Sequence, residues 1–521
     1  MSSRRLAAAL AGGTAVLAVS LATALVAVSG AVASGPLLPS SDPFYAYSGS
    51  LAHLAPGTVL RRRTVSVVSS GISSATATQV LYRTTGELGQ PTATVATVIG
   101  PAVQLGAPKL VSYQTAYDAL GSECDPSYTL QGGNPGYSTA AEEEQVILAY
   151  VRAGYTVVVP DYEGERLDWG AGQESGYGTL DGIRAAENLL GVPVASTPVG
   201  MVGYSGGSIA TEFASELAPG YSPTLDIVAT AEGGIPVDFF HNLSYINGSP
   251  AWSGVIPAVL VSVGRAFGID FQRYLSPYGV GVTNQVKGEC INDFVGAYPG
   301  LTYQKLLKPQ YQDIYKIADF VKVGDHLIMT RTGTPKGPLF IGVGDADGTG
   351  DGVMVTRDDL ALAHTYCQRG VSVQFNQYSG DDHDQAAVPF EQGALTFLSE
   401  RLAGTAVPDG CGSIGAGNSL TPLPVPIVAP KLKLKLTYLG PRKRLHGIVI
   451  ELATSTASLR GLVVSLWRGR KLIARVKINR LTTSAHRVIL RNRGHLPGAG
   501  RYTLKITEGK TILLVRGVRI R

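Results

Sequence analysis

Three stretches carry residue types that could together perform nucleophilic chemistry. The first is Gly203-Tyr204-Ser205-Gly206-Gly207, which follows an apolar run at 198–202 and precedes a helical pattern at 208–217. Strand, glycine-rich turn and helix form the setting in which a serine is held on a strained elbow. Its hydroxyl is exposed there, and the next backbone N–H, that of Gly206, points at a reacting oxygen. In a chain with 64 glycines the pentapeptide alone says little, so its flanks carry the reading. A serine hydroxyl needs a base within reach, and the base needs an acid that fixes its tautomer. On such an elbow the chain order is serine, acid, histidine.

The second stretch is Ser379-Gly380-Asp381-Asp382-His383-Asp384, a loop after a strand-like run and before a helical one, so His383 is the candidate base. His364 lies in a helical run beside Leu360-Ala361-Leu362-Ala363 and reads as structural. The third stretch is the loop at 344–353, where Asp345, Asp347 and Asp351 compete for the acid. Asp351 is favoured because Val353-Met354-Val355 can bury the far side of its loop; the other two lie nearer the strand end and stay open. The alternation Asp345, Asp347, Thr349, Asp351 imitates a calcium loop, but the twelfth position is Thr356 and not the bidentate glutamate. No metal and no cofactor is expected.

The elements that must position these residues follow a simple order. Strand-like runs at 64–70, 76–84, 92–99 and 109–114 come first, without intervening helices. Strands and helices then alternate: helix 139–153, strand 155–162 ending in a turn, helix about 178–190, the elbow strand, strand 227–231, strand 338–343, helix 357–369, strand 371–378 and helix 387–402. This order predicts a mostly parallel sheet covered on both faces, with chemistry at the carboxyl ends of its strands. A helical block at about 234–333 interrupts the alternation and reads as a cap.

Residues 1–33 read as a signal peptide, with Arg4 and Arg5 before an apolar run and Ala31-Val32-Ala33 as the cleavage site. Residues 34–410 form the main module and 411–430 a Gly/Pro/Ser linker. Seven short alternating runs then fill 431–521, predicting an all-β immunoglobulin-like sandwich, although no Cys…Trp…Cys pattern supports a true immunoglobulin domain. The net charge of +5 hides a split between the modules. Residues 431–521 hold 22 Lys and Arg against Glu451 and Glu508, a net of +20, while the remainder holds 22 basic and 37 acidic residues, a net of −15. So basic a module favours anionic partners such as wall polymers or membrane surfaces, but it carries no nucleic-acid motif. Four cysteines, Cys124, Cys290, Cys367 and Cys411, suit an exported protein with two disulfides, and their spacing allows three pairings.

Several motifs in a fixed order resemble the secretory lipase family. They are Ser112-Tyr113-Gln114-Thr115-Ala116-Tyr117-Asp118, Cys124-Asp125-Pro126-Ser127, the elbow, Gly233-Gly234-Ile235-Pro236-Val237-Asp238, Gly350-Asp351-Gly352-Val353 and the loop around His383. The likeness covers roughly residues 44–411 and leaves out the basic module. It implies an α/β-hydrolase fold with 234–333 as a helical lid, and Ser205, Asp351 and His383 as nucleophile, acid and base. It further implies Asp118 and the Gly206 N–H as the oxyanion hole, and the pairs Cys124–Cys290 and Cys367–Cys411. Without it, Asp118 would be one polar residue after a strand. An ionised carboxylate would repel a forming oxyanion, so Asp118 must be protonated or offer only its backbone N–H.

The expectation is an exported serine lipase or esterase acting on lipid esters of the triacylglycerol type. Acyl transfer to an alcohol is the nearest alternative; a surface-binding protein with an idle hydrolase fold is the one from another class. Chain-length preference and oligomeric state leave no mark in the sequence.

Overall fold

A computed structural model describes residues 35–69, 72–134, 139–406, 408–426, 432–439, 447–454, 459–481, 486–490 and 500–520. The expected signal peptide lies outside the described residues. Nine strands form one sheet: β1 (Val59–Ser69), β2 (Ile72–Thr85), β3 (Pro91–Ile99), β4 (Leu110–Gln114), β5 (Thr156–Pro160), β6 (Pro198–Tyr204), β7 (Asp226–Gly233), β8 (Leu339–Asp345) and β9 (Val373–Ser379). Their spatial order is β1-β2-β3-β5-β4-β6-β7-β8-β9. Pairings from β1 to β5 are antiparallel, and every pairing from β5 to β9 is parallel. β1, β2 and β3 follow one another as hairpins, which need only turns, whereas β4, the last strand of the run without helices, lies parallel between β5 and β6. In the sheet centre, β4 and β5 are buried along their whole length; β5 reads as an apolar run through Val157-Val158-Val159, while β4 buries Ser112 and Gln114, whose side chains bond each other at 2.6 Å.

Helices cover both faces. Thr139–Arg152 and His383–Leu402 pack on one through Ile147, Tyr150, Phe390 and Leu398. Gly172–Leu190, Gly206–Tyr221 and Thr356–Gln368 take the other, through Leu180, Ile183, Ala214 and Leu362. The first of these helices starts six residues before the expected 178. Its early glycines look like breakers but are needed for contact: a Cβ on Gly176 would lie 2.8 Å from the backbone of Phe213 in the neighbouring helix.

Between β7 and β8 the chain builds the expected helical cap, with helices Phe239–Ile246, Val255–Phe267, Pro277–Val286 and Ala318–Leu327. The cap has its own apolar centre around Phe240, Val263, Phe271 and Phe320, which continues onto Val353 and Met354 of the loop after β8. Disulfides join Cys124 to Cys290 and Cys367 to Cys411, with Cα separations of 5.9 and 5.5 Å. The first fixes the loop after β4 to the cap. Residues 411–426, read as linker, lie along the body instead: Asn418 N donates to Arg357 O and Leu423 N to Asp325 Oδ1. Gly/Pro/Ser composition marks irregular backbone here rather than absence of contact.

In the basic module the seven expected strands form two antiparallel sheets. One is β10 (Leu432–Leu439), β11 (Gly447–Thr454) and β14 (His486–Leu490). The other follows the order β13 (Lys471–Leu481), β12 (Leu459–Arg468), β15 (Gly500–Glu508) and β16 (Thr511–Ile520). Leu490 of β14 joins Leu462, Val464, Leu466, Leu504 and Ile506 in one apolar cluster.

Candidate active site

Ser205 follows the last residue of β6, in the middle of the parallel sheet, and its backbone sits at φ 54°, ψ −124°. Positive φ is strained for a residue with a Cβ, and the glycines around it show what keeps the strain in place. A Cβ on Gly207 would lie 2.0 Å from Gln114 O of β4, and one on Gly206 would lie 1.6 Å from Asp118 Oδ1. Only glycine lets the helix Gly206–Tyr221 start this close to the strand ends. Ser205 is its N-cap, so the Gly206 N–H belongs to the first turn, whose N–H groups have no partner within the helix.

The loops after β8 and β9 bring the other two groups in. His383 Nε2 lies 2.7 Å from Ser205 Oγ, and its Nδ1 lies 2.7 Å from Asp351 Oδ2. Asp351 is held in turn: its Oδ1 accepts the N–H groups of Val353 and Met354 at 3.0 and 2.7 Å, and its carbonyl accepts the His383 N–H at 2.9 Å. Of the three competing aspartates, Asp351 is the one that contacts His383. Asp345 Oδ1 accepts Gly348 N–H, and Asp347 Oδ1 accepts the N–H groups of Thr349 and Gly350, so both serve the turn itself. His364 contacts Ile414 O and Gln368, away from Ser205's partners.

Both His383 and Asp351 are buried, at 4% and 1% exposure. Burial, the largest single influence, pulls the imidazole pKa down, but the Asp351 carboxylate beside it, together with Asp384 and Asp118, leaves His383 above its ordinary value. Asp118, four residues beyond β4, is 3% exposed, and its Oδ1 has no hydrogen-bond partner among the described residues. Its own backbone is at φ 37°. Burial pushes its carboxyl up to about 7, against the opposing pull of the His383 imidazole and the Trp169 indole.

These groups open into a cavity of about 910 Å³ of empty space, mouth included. Beyond Ser205, Gly206 and Asp118 its walls are almost wholly apolar, with Leu243, Ile246, Val255, Val259 and Val263 of the cap and Met329 beyond it. Cap residues also reach the reacting groups in ways the sequence did not announce. The Trp252 ring meets the His383 ring edge-on, with centroids 5.3 Å apart. Asn242 Nδ2 donates to Val353 O at 2.8 Å, and Tyr245 Oη accepts the Gly352 N–H at 3.0 Å while donating to Asp347. The one available signal was Trp252, as one of only three tryptophans, placed within an apolar insertion. Beneath the elbow, Tyr204 Oη donates to His383 O at 2.7 Å. Among the described residues, no cluster of three or more His, Cys, Asp or Glu is arranged to hold a metal ion.

A parallel sheet in this strand order, with a serine elbow at its centre facing a histidine and an aspartate at neighbouring strand ends, defines an α/β-hydrolase. The chain belongs to the secretory lipase family, which its residues 135–410 match. It is 34% identical over 384 residues to a probable inactive lipase of Mycobacterium tuberculosis, covering 72% of this chain and 84% of that protein. To lipase A of Arthroderma benhamiae it is 32% identical over 402 residues, covering 72% and 82%. Candida antarctica lipase A superposes with a TM-score of 0.68 at 28% identity, over 75% of this chain and 92% of that one. These relatives support hydrolysis of carboxylic esters, with a lipid ester as substrate, and the family suggests an exported protein. Among the described residues no helix is long and apolar enough to cross a membrane.

Proposed function

We propose that the chain is an exported serine hydrolase that cleaves lipid esters of the triacylglycerol type through an acyl-enzyme. The observation that carries this is the continuous contact Ser205–His383–Asp351 at the floor of an apolar cavity. His383 Nε2 takes the Ser205 proton as Oγ attacks the ester carbonyl, and Asp351 stabilises the imidazolium. The oxyanion of the tetrahedral intermediate is met by the Gly206 N–H and by the protonated Asp118 carboxyl. His383 then gives the proton to the departing alcohol, leaving Ser205 acylated. Water, deprotonated by the same imidazole, releases the fatty acid.

The apolar walls suit an acyl chain, since each buried methylene contributes about 0.8 kcal/mol. The cap over the cavity acts as a lid. An alcohol replacing water would give acyl transfer, and the apolar lining beside His383 favours carrying an alcohol there. One relative's description as inactive does not weaken the reading for this chain, whose three groups stand within hydrogen-bond distance of one another. The basic module is proposed as an immunoglobulin-like sandwich. Its first, second and fifth strands pair in one sheet and its third, sixth and seventh in the other, as in that fold, with the fourth strand moved to the second sheet.

The test is hydrolysis of p-nitrophenyl esters from acetyl to palmitoyl by the mature protein and by Ser205→Ala. Activity abolished in the variant and strongest on long chains is expected. A variant as active as the parent would remove Ser205 from the reaction.

A further inference from the structure

The four-stranded sheet of the basic module presents an outward face that the proposed hydrolysis does not use. In β12, Leu462, Val464 and Leu466 point into the module and are buried, so Val463, Ser465 and Trp467 point outward. The strand pairings place the rest of that face. Ser465 stands opposite Arg475 of β13 on one side and Lys505 of β15 on the other, and Lys505 in turn stands opposite Val515 of β16. Val463 stands opposite Lys477 and Thr507, and Thr507 opposite Ile512. The Lys505 ammonium lies 5.4 Å from the centre of the Trp467 ring. Arg475 and Lys477 are exposed. So are two aliphatic side chains, Val515 at 57% and Ile512 at 58%.

The charge on this sheet has one sign. Its four strands carry ten Lys and Arg and a single acid, Glu508, which accepts the Arg460 backbone N–H at 3.2 Å. A face that must exist only to be solvated gains nothing from exposed valine and isoleucine among the cations. Cations, a tryptophan and aliphatic side chains on one plane match the region where anionic headgroups meet acyl chains. Sugar binding would call for carboxylates and amides beside the Trp467 ring, and the one amide on this face, Asn479, lies two positions beyond Lys477 on β13, away from that ring.

We infer that this face docks the protein on an anionic lipid surface. The inference rests on the lipid-ester reading, because its use is to bring a catalytic body, whose net charge is −17 once Arg4 and Arg5 leave with the expected signal peptide, to an interface that would otherwise repel it.

Binding of the full-length protein to vesicles of phosphatidylcholine, with and without phosphatidylglycerol, tests it by flotation at several salt concentrations. Binding confined to the anionic vesicles and weakened by salt is expected. The triple variant Arg475→Gln, Lys477→Gln, Lys505→Gln should lose about a hundredfold in vesicle affinity. A control triple, Arg460→Gln, Arg470→Gln, Lys510→Gln, removes the same charge at strand ends and turns and should lose at most a tenth as much. Equal losses in the two triples would show that net charge binds and not this face, and would overturn the inference. So would equal binding to neutral vesicles, no binding by the parent, or capture on an anionic polysaccharide with none on vesicles. Hydrolysis of a soluble short-chain ester, which needs no surface, should be unchanged in both triples. A parent that binds vesicles but hydrolyses nothing would end the hydrolase reading while leaving the docking face standing.

Discussion

Asp118 gives the sharpest test of the proposed chemistry, because a carboxyl can serve an oxyanion only while it keeps its proton. Burial holds it at about 7, and the nearby imidazolium is the first influence pulling that value down. In the reactive state His383 is neutral, so that pull is absent and Asp118 holds its proton more firmly. The opposite microstate, imidazolium beside carboxylate, has the same net charge but offers neither base nor donor, so the two groups titrate as a pair. Activity should rise as pH climbs through the His383 titration, which lies above its ordinary value, and fall once Asp118 ionises. The acid limb is that of His383 and the alkaline limb that of Asp118, giving a bell in kcat. Asp118→Asn keeps a donor that does not titrate, and asparagine tolerates the positive φ of this position. It should retain kcat within about tenfold and lose the alkaline limb. Asp118→Ala should lose about 10²–10³ in kcat, or about 3–4 kcal/mol of transition-state stabilisation. The assay is kcat for a soluble p-nitrophenyl ester across pH, with thermal melts to confirm folding. An asparagine variant that keeps the alkaline limb, or an alanine variant with parental kcat, would refute the side-chain role and leave only the backbone N–H.

Trp252→Ala removes the ring packed edge-on against His383; an aromatic pair of this kind is worth about 0.5–1.5 kcal/mol, so kcat should fall about two- to tenfold. KM for a short soluble ester should stay near the parent's, and a change confined to KM would mean that Trp252 only lines the cavity. Glu232 of β7 is fully buried with both carboxylate oxygens unpaired among the described residues, and burial raises its pKa above the ordinary 4.5. The folded chain therefore binds more protons than the unfolded one above that value, so stability falls as pH rises from about 4.5 towards the raised pKa. Urea midpoints for Glu232→Gln should decline less steeply with pH than the parent's; parallel slopes would contradict this. Replacing Cys124 and Cys290 together by serine should cost about 1 kcal/mol more in urea unfolding than replacing Cys367 and Cys411, because the sequence separations are 166 and 44. Equal losses would mean that native-state contacts, and not the entropy of the open chain, set the cost.

What could be read from sequence was whatever is periodic or covalently local. The central strands announced themselves because burial on both faces leaves unbroken apolar runs such as Thr156–Pro160, and the elbow did because its glycines sit between a strand and a helix. His383 followed from lying after the last strand. The acid was harder, since three aspartates in one loop differ only in which way each points, and that is set by the turn at 347–350 and by Val353 and Met354. Asp118 was invisible to residue reasoning alone: its proposed role depends on an approach to Gly206 so close that a Cβ there would lie 1.6 Å from Asp118 Oδ1, a contact between residues 88 positions apart. Contacts from the cap to the loop after β8 were equally out of reach, because Asn242, Tyr245 and Trp252 follow no spacing rule.

Those cap contacts limit how the site can open. Asn242 and Tyr245 hold the backbone that carries Asp351, and Trp252 rests on His383, so the segment from Phe239 to Trp252 is part of the frame around the proposed catalytic groups. Cys290 is bonded to the loop after β4, and Arg265 donates to Leu120 O and Arg166 O of the body. His326 reaches Glu87 at the turn between β2 and β3. A cap swinging away as one piece would break each of these, and with them the backbone donors that orient the acid. Any opening of the cap is therefore confined to the parts between these anchors, around Phe271–Val286 and Tyr303–Lys316, with the proposed triad kept assembled throughout. The same segments that wall the cavity also hold the proposed catalytic groups in register, so the cap cannot be treated as a cover added to a finished site.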